Sequence, residues 1–315
     1  MKIMKNSKPT IDEIYRKKPK SDFRRKLSYT LQAAGAFPLM FIVRCLPLDV
    51  ASALGARIAR FVGPRLKEHK VAMMNLALAF PDKTEAERDA IIMAEWENIG
   101  RVIGEFPHVT RPKVIAERVK IKGKKYLDEL KKSGKGAVCV SIHMGNWELS
   151  SMIMRELGIK ANNVYRRPNN PYVEKIYQAR VDKQKGLLIP KDKNSLLKMI
   201  RCIRNGETVG LLIDQKLNEG IETTFFGKKA MTTPAPAIIS RRYDVPILMG
   251  RVVRTKGAHF EMTLFPLIYC NKTKNSDKDI QEMTQKLNDI VQGWIETTPE
   301  QWLWIHKRWN KDIFK

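Results

Sequence analysis

The sequence predicts an α/β fold with a mostly parallel central sheet flanked by helices, preceded by a helical N-terminal region that associates with a membrane. Three observations predict it. From about residue 119 onward, short apolar, partly β-branched runs alternate with amphipathic segments, the pattern of repeated strand–helix units. An uncharged stretch and an amphipathic stretch precede that alternation. A hydrophobic content of 43% over 315 residues supplies a core for one large domain.

Residues 1–26 are dense in lysine and arginine, as in "YRKKPKSDFRRK", and read as a solvated basic arm. Residues 27–43 carry no charge and are bounded by Lys26 and Arg44. Seventeen residues is near the lower limit for crossing a hydrocarbon layer, and Gln32 and Pro38 weaken the stretch, so it is expected to be inserted in a membrane or to lie on one. In "VASALGARIARFV", Val50, Leu54, Ile58 and Phe61 recur at helical spacing, which suits a helix packed on the domain or one lying in a lipid interface. Residues 27–63 are therefore expected to anchor the chain, and residues 64–315 to form the α/β domain.

Helices are expected at 67–80 and 84–103, then near 124–132, 147–157, 171–183, 195–204, 234–243 and 277–294. Strands are expected at 137–142, 163–165, 187–189, 208–213, 246–253 and 259–266. The C-terminal "QWLWIHKRWNK" mixes three tryptophans with cations and suits either a membrane interface or a terminal helix packing its indoles on the sheet.

Charge narrows the partners. Lys plus Arg total 58 against 33 Asp plus Glu, a formal +25, which calls for a polyanionic partner. The cations are spread over arm, helices and loops, and no nucleic-acid recognition motif accompanies them, so nucleic acid is not the expected partner. The four cysteines lie at least 63 positions apart, with no metal or redox spacing.

The stretch "SIHMGNWELS" holds the candidate chemistry. On one continuous helix His143 and Glu148 would face roughly 140° apart, so a strand end followed by a helix start is the better reading. His143 then sits at the carboxyl edge of the sheet, where ligands of open α/β folds collect. A neutral imidazole there can take a proton from a hydroxyl, and a neighbouring carboxylate fixes its tautomer. No Gly-x-Ser-x-Gly elbow is present, so the nucleophile is expected to be a substrate hydroxyl. Five histidines without a His-Glu-x-x-His array give no expected metal site. Arg166 and Arg167 follow an apolar run and precede Pro168, placing a guanidinium fork for phosphate or carboxylate at the same edge. Asp214 ends the run "TVGLLI" at that edge as well.

Five blocks, "HMGNWE", "VYRRPNNP", "LLIDQ", "TTFFGKKAMTTPAPA" and "PEQWLWIHKRW", occur in the order found in the late acyltransferases of lipid A biosynthesis, and the chain resembles that family from about residue 27 onward. The resemblance implies transfer of a fatty acyl group from acyl carrier protein to the hydroxyl of an acyl chain on a phosphorylated, Kdo-bearing glucosamine disaccharide. It implies a place at the cytoplasmic face of a Gram-negative inner membrane, in contact with anionic lipid. No cofactor is implied beyond the acyl-acyl carrier protein donor. His143 and Glu148 match the catalytic dyad, with Glu148 orienting and charge-balancing the imidazole. Arg166 or Arg167, Asp214 and Asn146 match substrate-binding positions. Backbone amides of residues 145–147 are the expected oxyanion donors. Glycerophosphate or lysophospholipid acyl transfer, and an inactive anionic-lipid-binding protein of the same fold, are the alternatives.

Overall fold

A computed structural model describes residues 22–184, 186–310 and 313; most of the basic arm lies outside them. Two helices lead. α1 (Asp22–Cys45) begins inside the expected arm and runs through the uncharged stretch, and α2 (Leu48–Val62) follows Pro47. Among the described residues no helix is long and apolar enough to cross a membrane.

The sidedness of α2 inverts that of an ordinary surface helix. Its small residues Ala51, Ser52 and Ala56 are buried, while Val50, Leu54, Ile58, Phe61 and Val62 are exposed. α1 likewise exposes Leu31, Leu39, Phe41 and Ile42 and buries Ala33. α2 packs on α4 (Glu85–Glu105), which starts with a capping box in which the Thr84 and Glu87 side chains each accept from the other's backbone amide. The α2–α4 contact is backbone against backbone: a Cβ added to Gly55 would lie 2.1 Å from the Gly100 carbonyl oxygen. α3 (Lys67–Ala79) lies between them in the chain and packs on α4.

The sheet follows α5 (Pro112–Arg118), in the strand order β1-β9-β8-β2-β5-β3-β4. Its members are β1 (Val119–Lys122), β2 (Ala137–Ser141), β3 (Ala161–Tyr165), β4 (Leu188–Pro190), β5 (Thr208–Leu212), β8 (Ile247–Lys256) and β9 (His259–Leu264). All pairings are parallel except β8 with β9. Val138 and Val140 of β2 are buried against a core that includes Ile247 and Met249, consistent with a central strand covered on both faces. The covering helices are α6 (Lys124–Ser133), α7 (Glu148–Glu156), α8 (Pro171–Gln184), α9 (Ser195–Arg204), α10 (Ala235–Tyr243) and α11 (Ser276–Thr297).

Two departures from expectation have clear causes. Residues 221–232 form a hairpin of β6 (Ile221–Phe225) and β7 (Lys228–Thr232), turned at Phe226 and Gly227, both at positive φ. Two positive-φ residues between strands normally announce themselves as Asn-Gly or Asp-Gly; phenylalanine gives no such signal. Its ring is instead fixed edge-on against Phe80 and Phe225, with centroids 5.4 and 4.9 Å away. The C-terminal block is neither a membrane-facing segment nor a helix. After a 3₁₀ turn at Pro299–Gln301 it runs irregularly into the core, where Trp302, Trp304 and Trp309 are at most 2% exposed.

Candidate active site

Because β2, β3, β4 and β5 are parallel, the residues just past their carboxyl ends gather on one edge. His143 follows β2, Arg166 follows β3, Lys191 follows β4 and Asp214 follows β5. His143, Arg166 and Lys191 line one cavity of about 1030 Å³, and Glu148, the first residue of α7, lines it too.

Asp214 holds His143 by two contacts. The His143 ring Nδ1 lies 2.9 Å from Asp214 Oδ1, and the His143 backbone amide donates to Asp214 Oδ2 at 2.9 Å. A third donor, the Trp302 indole, reaches the same Oδ2 at 2.7 Å. Burial alone would raise the Asp214 carboxyl; the facing His143 and these hydrogen bonds overcome it and hold the group below the usual carboxylate range. An ionised carboxylate only accepts, so Nδ1 carries the proton and Nε2 keeps its lone pair for the cavity. Gln215 Nε2 is 3.4 Å from that nitrogen. The carboxylate at Nδ1 is Asp214, and Glu148, expected to orient the ring, lies on the cavity wall. A strand end 71 residues away reaches the imidazole because β5 pairs directly with β2.

The loop between His143 and Glu148 is fixed from beneath. Gly145 sits at φ +56°, and a Cβ there would lie 2.3 Å from the Val252 carbonyl oxygen, so only glycine fits. Its amide donates to the Gln301 carbonyl at 3.0 Å, which removes it from the expected oxyanion donors. Asn146, expected at the substrate, is fully buried and is not on the cavity wall. Its Nδ2 donates to Glu105 Oε2 at 2.7 Å and its Oδ1 accepts from the Glu148 amide at 3.2 Å, so both polar ends are occupied inside the protein. Glu105, at the end of α4, also accepts from the Ser52 hydroxyl of α2 at 2.7 Å and from both terminal nitrogens of Arg254. Arg254 Nε donates to Asn98, whose Nδ2 donates to the Gly145 carbonyl. These buried partners, Glu105, Asn98 and Arg254, stand out in no local sequence pattern. Trp302 lies in a block whose indoles read equally well as a membrane belt.

The two adjacent arginines part ways. Arg166 faces the cavity, whereas Arg167 lies outside its lining, with Nε 3.0 Å from Glu174 Oε1. Burial, then the nearby Arg166, lowers the Lys191 ammonium below its ordinary value. Two cations pressed together in one cavity make it a receptor for an anion. Among the described residues no group of His, Cys, Asp and Glu is arranged to hold a metal ion.

A profile of the bacterial lipid A biosynthesis acyltransferases matches residues 17–311. The chain belongs to that family. Among its relatives in this acyltransferase family, the lipid A biosynthesis lauroyltransferase of Escherichia coli K12 is 24% identical over 282 residues, covering 86% of this chain and 89% of the relative. The palmitoleoyltransferase of the same organism is 24% identical over 272 residues, covering 84% and 86%. The myristoyltransferase is 24% identical over 271 residues, covering 80% and 78%. In this acyltransferase the imidazole held by Asp214, the cations Arg166 and Lys191 and a cavity of about 1030 Å³ lie together at one sheet edge.

Proposed function

We propose that this acyltransferase moves a fatty acyl chain from acyl carrier protein to the hydroxyl of a hydroxyacyl chain on a phosphorylated, Kdo-bearing lipid A precursor, at the cytoplasmic face of the inner membrane. The observation that carries the reading is the His143–Asp214 pair, with Nε2 open to a cavity that also holds Arg166 and Lys191. Nε2 takes the proton from the acceptor hydroxyl as its oxygen attacks the thioester carbonyl carbon. Asp214 stabilises the imidazolium that forms, and Glu148 adds a second carboxylate on the cavity wall. When the tetrahedral intermediate collapses, the carbon–sulfur bond breaks and the imidazolium returns its proton to the departing thiolate. Arg166 and Lys191 hold an acidic group of the substrate. Electrostatic contact with acyl carrier protein and anionic lipid accounts for the surplus of cations.

Product mass and free-thiol release test it, with purified protein, loaded acyl carrier protein and the tetra-acylated Kdo-bearing precursor. Wild type gains one acyl group per acceptor; His143→Ala loses on the order of 10²-fold or more. Asp214→Asn, which misplaces the ring proton, loses about 10³-fold in kcat with little change in KM. Equal thiol release by all three proteins, or an acceptor that gains no mass, sinks the assignment.

A further inference from the structure

Glu95, Glu105, Asp214 and Asp279 are the buried carboxylates among the described residues. Two of them face an arginine: Glu105 pairs with the Arg254 guanidinium, and Asp279 accepts from Arg241 Nε at 2.8 Å. Burial raises the Glu95 carboxyl well above its usual range, and its Oε2 has no hydrogen-bond partner among the described residues, so Glu95 is neutral. Asp214 is different. It is ionised, yet the groups that touch it are a neutral imidazole and an indole, with no lysine or arginine among the described residues at ion-pair distance.

A buried cation is unmatched as well. Arg308 is the one fully buried lysine or arginine among the described residues. Its terminal nitrogens donate to the Met231 carbonyl at 3.0 Å, the Thr232 hydroxyl at 2.7 Å and Asn288 Oδ1 at 3.5 Å, all neutral acceptors. Its Nε has no partner among the described residues. Burial lowers this guanidinium to about 10, so it remains cationic at neutral pH. A charge so deep is unfavourable unless an opposite charge lies near it. Two aromatic rings connect Arg308 to Asp214. Its guanidinium carbon is 4.8 Å from the centroid of the Phe225 ring, which meets the Trp302 indole edge-on at 5.9 Å. The Trp302 N–H then donates to Asp214, and Arg308 feels the field of that carboxylate.

We infer that Arg308 is the distant counter-charge of Asp214 and a positioning residue for the base: across Phe225 and Trp302 it balances the carboxylate that holds His143, so the imidazole stays unprotonated at neutral pH. Unbalanced, the charge of Asp214 would draw a second proton onto the ring at higher pH. The consequence for turnover rests on the acyl-transfer reading above; the charge state of the ring does not. Other charged or titratable groups near the ring are Glu148 of α7, Arg166 after β3, Lys191, Asp192 and Lys193 after β4, Lys216 and Glu219 after β5, and His306, which feels Asp214. The variants that test Arg308 leave all of these in place.

Protonation of the ring can be read without substrate. Wild type, Arg308→Met, Arg308→Gln and Thr232→Val carry isotope-labelled histidine and are titrated by NMR, with His143→Gln assigning the resonance. Both neutral variants should half-protonate the ring at a pH higher by about half a unit or more, as expected for removal of a unit charge two rings away. Thr232→Val loosens the same hydrogen-bonded clamp and keeps the charge, so its midpoint should match wild type. Thermal unfolding checks that each variant folds, and Arg308→Gln, which can still donate to the Met231 carbonyl, carries the test should Arg308→Met not fold. The acid limb of kcat/KM for acyl transfer should move with the ring. An unchanged midpoint in the neutral variants, or an equal shift in Thr232→Val, overturns the inference and leaves Arg308 a clamp between β7 and α11. A wild type that transfers no acyl group would refute the reaction, while the ring titration would still decide the role of Arg308.

Discussion

His306 sits close enough to Asp214 to feel its charge, yet its Nε2 is buried with no hydrogen-bond partner among the described residues. Burial lowers this imidazole to about 4 from an ordinary 6.5. The unfolded chain therefore binds a proton that the folded chain refuses throughout that interval, and stability must rise with pH across it and fall as the solution is acidified. Denaturant midpoints between pH 6.5 and pH 4 should show that slope, and His306→Gln should flatten it. A slope unchanged in the variant would assign the acid sensitivity to other groups. At this scale the sequence is informative about one member of a pair at a time. His143 is legible because a strand end and a helix start bracket it within ten residues. Its partner Asp214 is legible only as a carboxylate at a strand end, since nothing local says that β5 pairs with β2. The pairing, and with it the orienting role, belongs to tertiary structure.

The loop from His143 to Glu148 depends on a helix that never reaches the cavity. Glu105 ends α4 and is 1% exposed, and it receives hydrogen bonds from Ser52, Asn146 and Arg254. Glu105→Gln would leave the buried Arg254 guanidinium without its charge partner, which should cost about 3 kcal/mol of stability. It would also loosen Asn146 and so the first turn of α7, lowering kcat more than it raises KM. Chemical denaturation and steady-state kinetics on the same variant check both effects; a full loss of stability with unaltered kcat would show that the loop holds itself. Such an element is invisible in sequence because a buried glutamate in the last turn of a helix looks the same as a solvated one. The long helices and the parallel strands β2, β3, β4 and β5 are legible in the sequence, whereas the four-residue edge strand β1 is not. The β6–β7 hairpin was not, since its turn uses phenylalanine where the usual turn residues would be.

Over the whole molecule, α1 and α2 present exposed leucine, isoleucine and phenylalanine side chains outward and pack small residues inward. Arg57 is exposed on α2 beside them, and the chain carries a formal +25. An apolar face with cations near it suits insertion into the headgroup layer of an anionic bilayer without crossing it. Sedimentation with vesicles containing anionic lipid should therefore capture the protein, less so at high salt. Replacing Leu54 and Phe61 together by Asp should weaken capture by at least about tenfold, as each apolar side chain is worth roughly 1.5–3 kcal/mol on burial. Capture unaffected by the double substitution would place the contact elsewhere. The indole that completes the hydrogen bonds of Asp214 lies 88 residues further along the chain. During translation the helices with the outward apolar face emerge from the ribosome long before Trp302 does. A nascent chain can thus settle on a lipid surface while its centre is still unfinished, and acquires a fully braced His143–Asp214 pair only once the last tryptophans have threaded into the core.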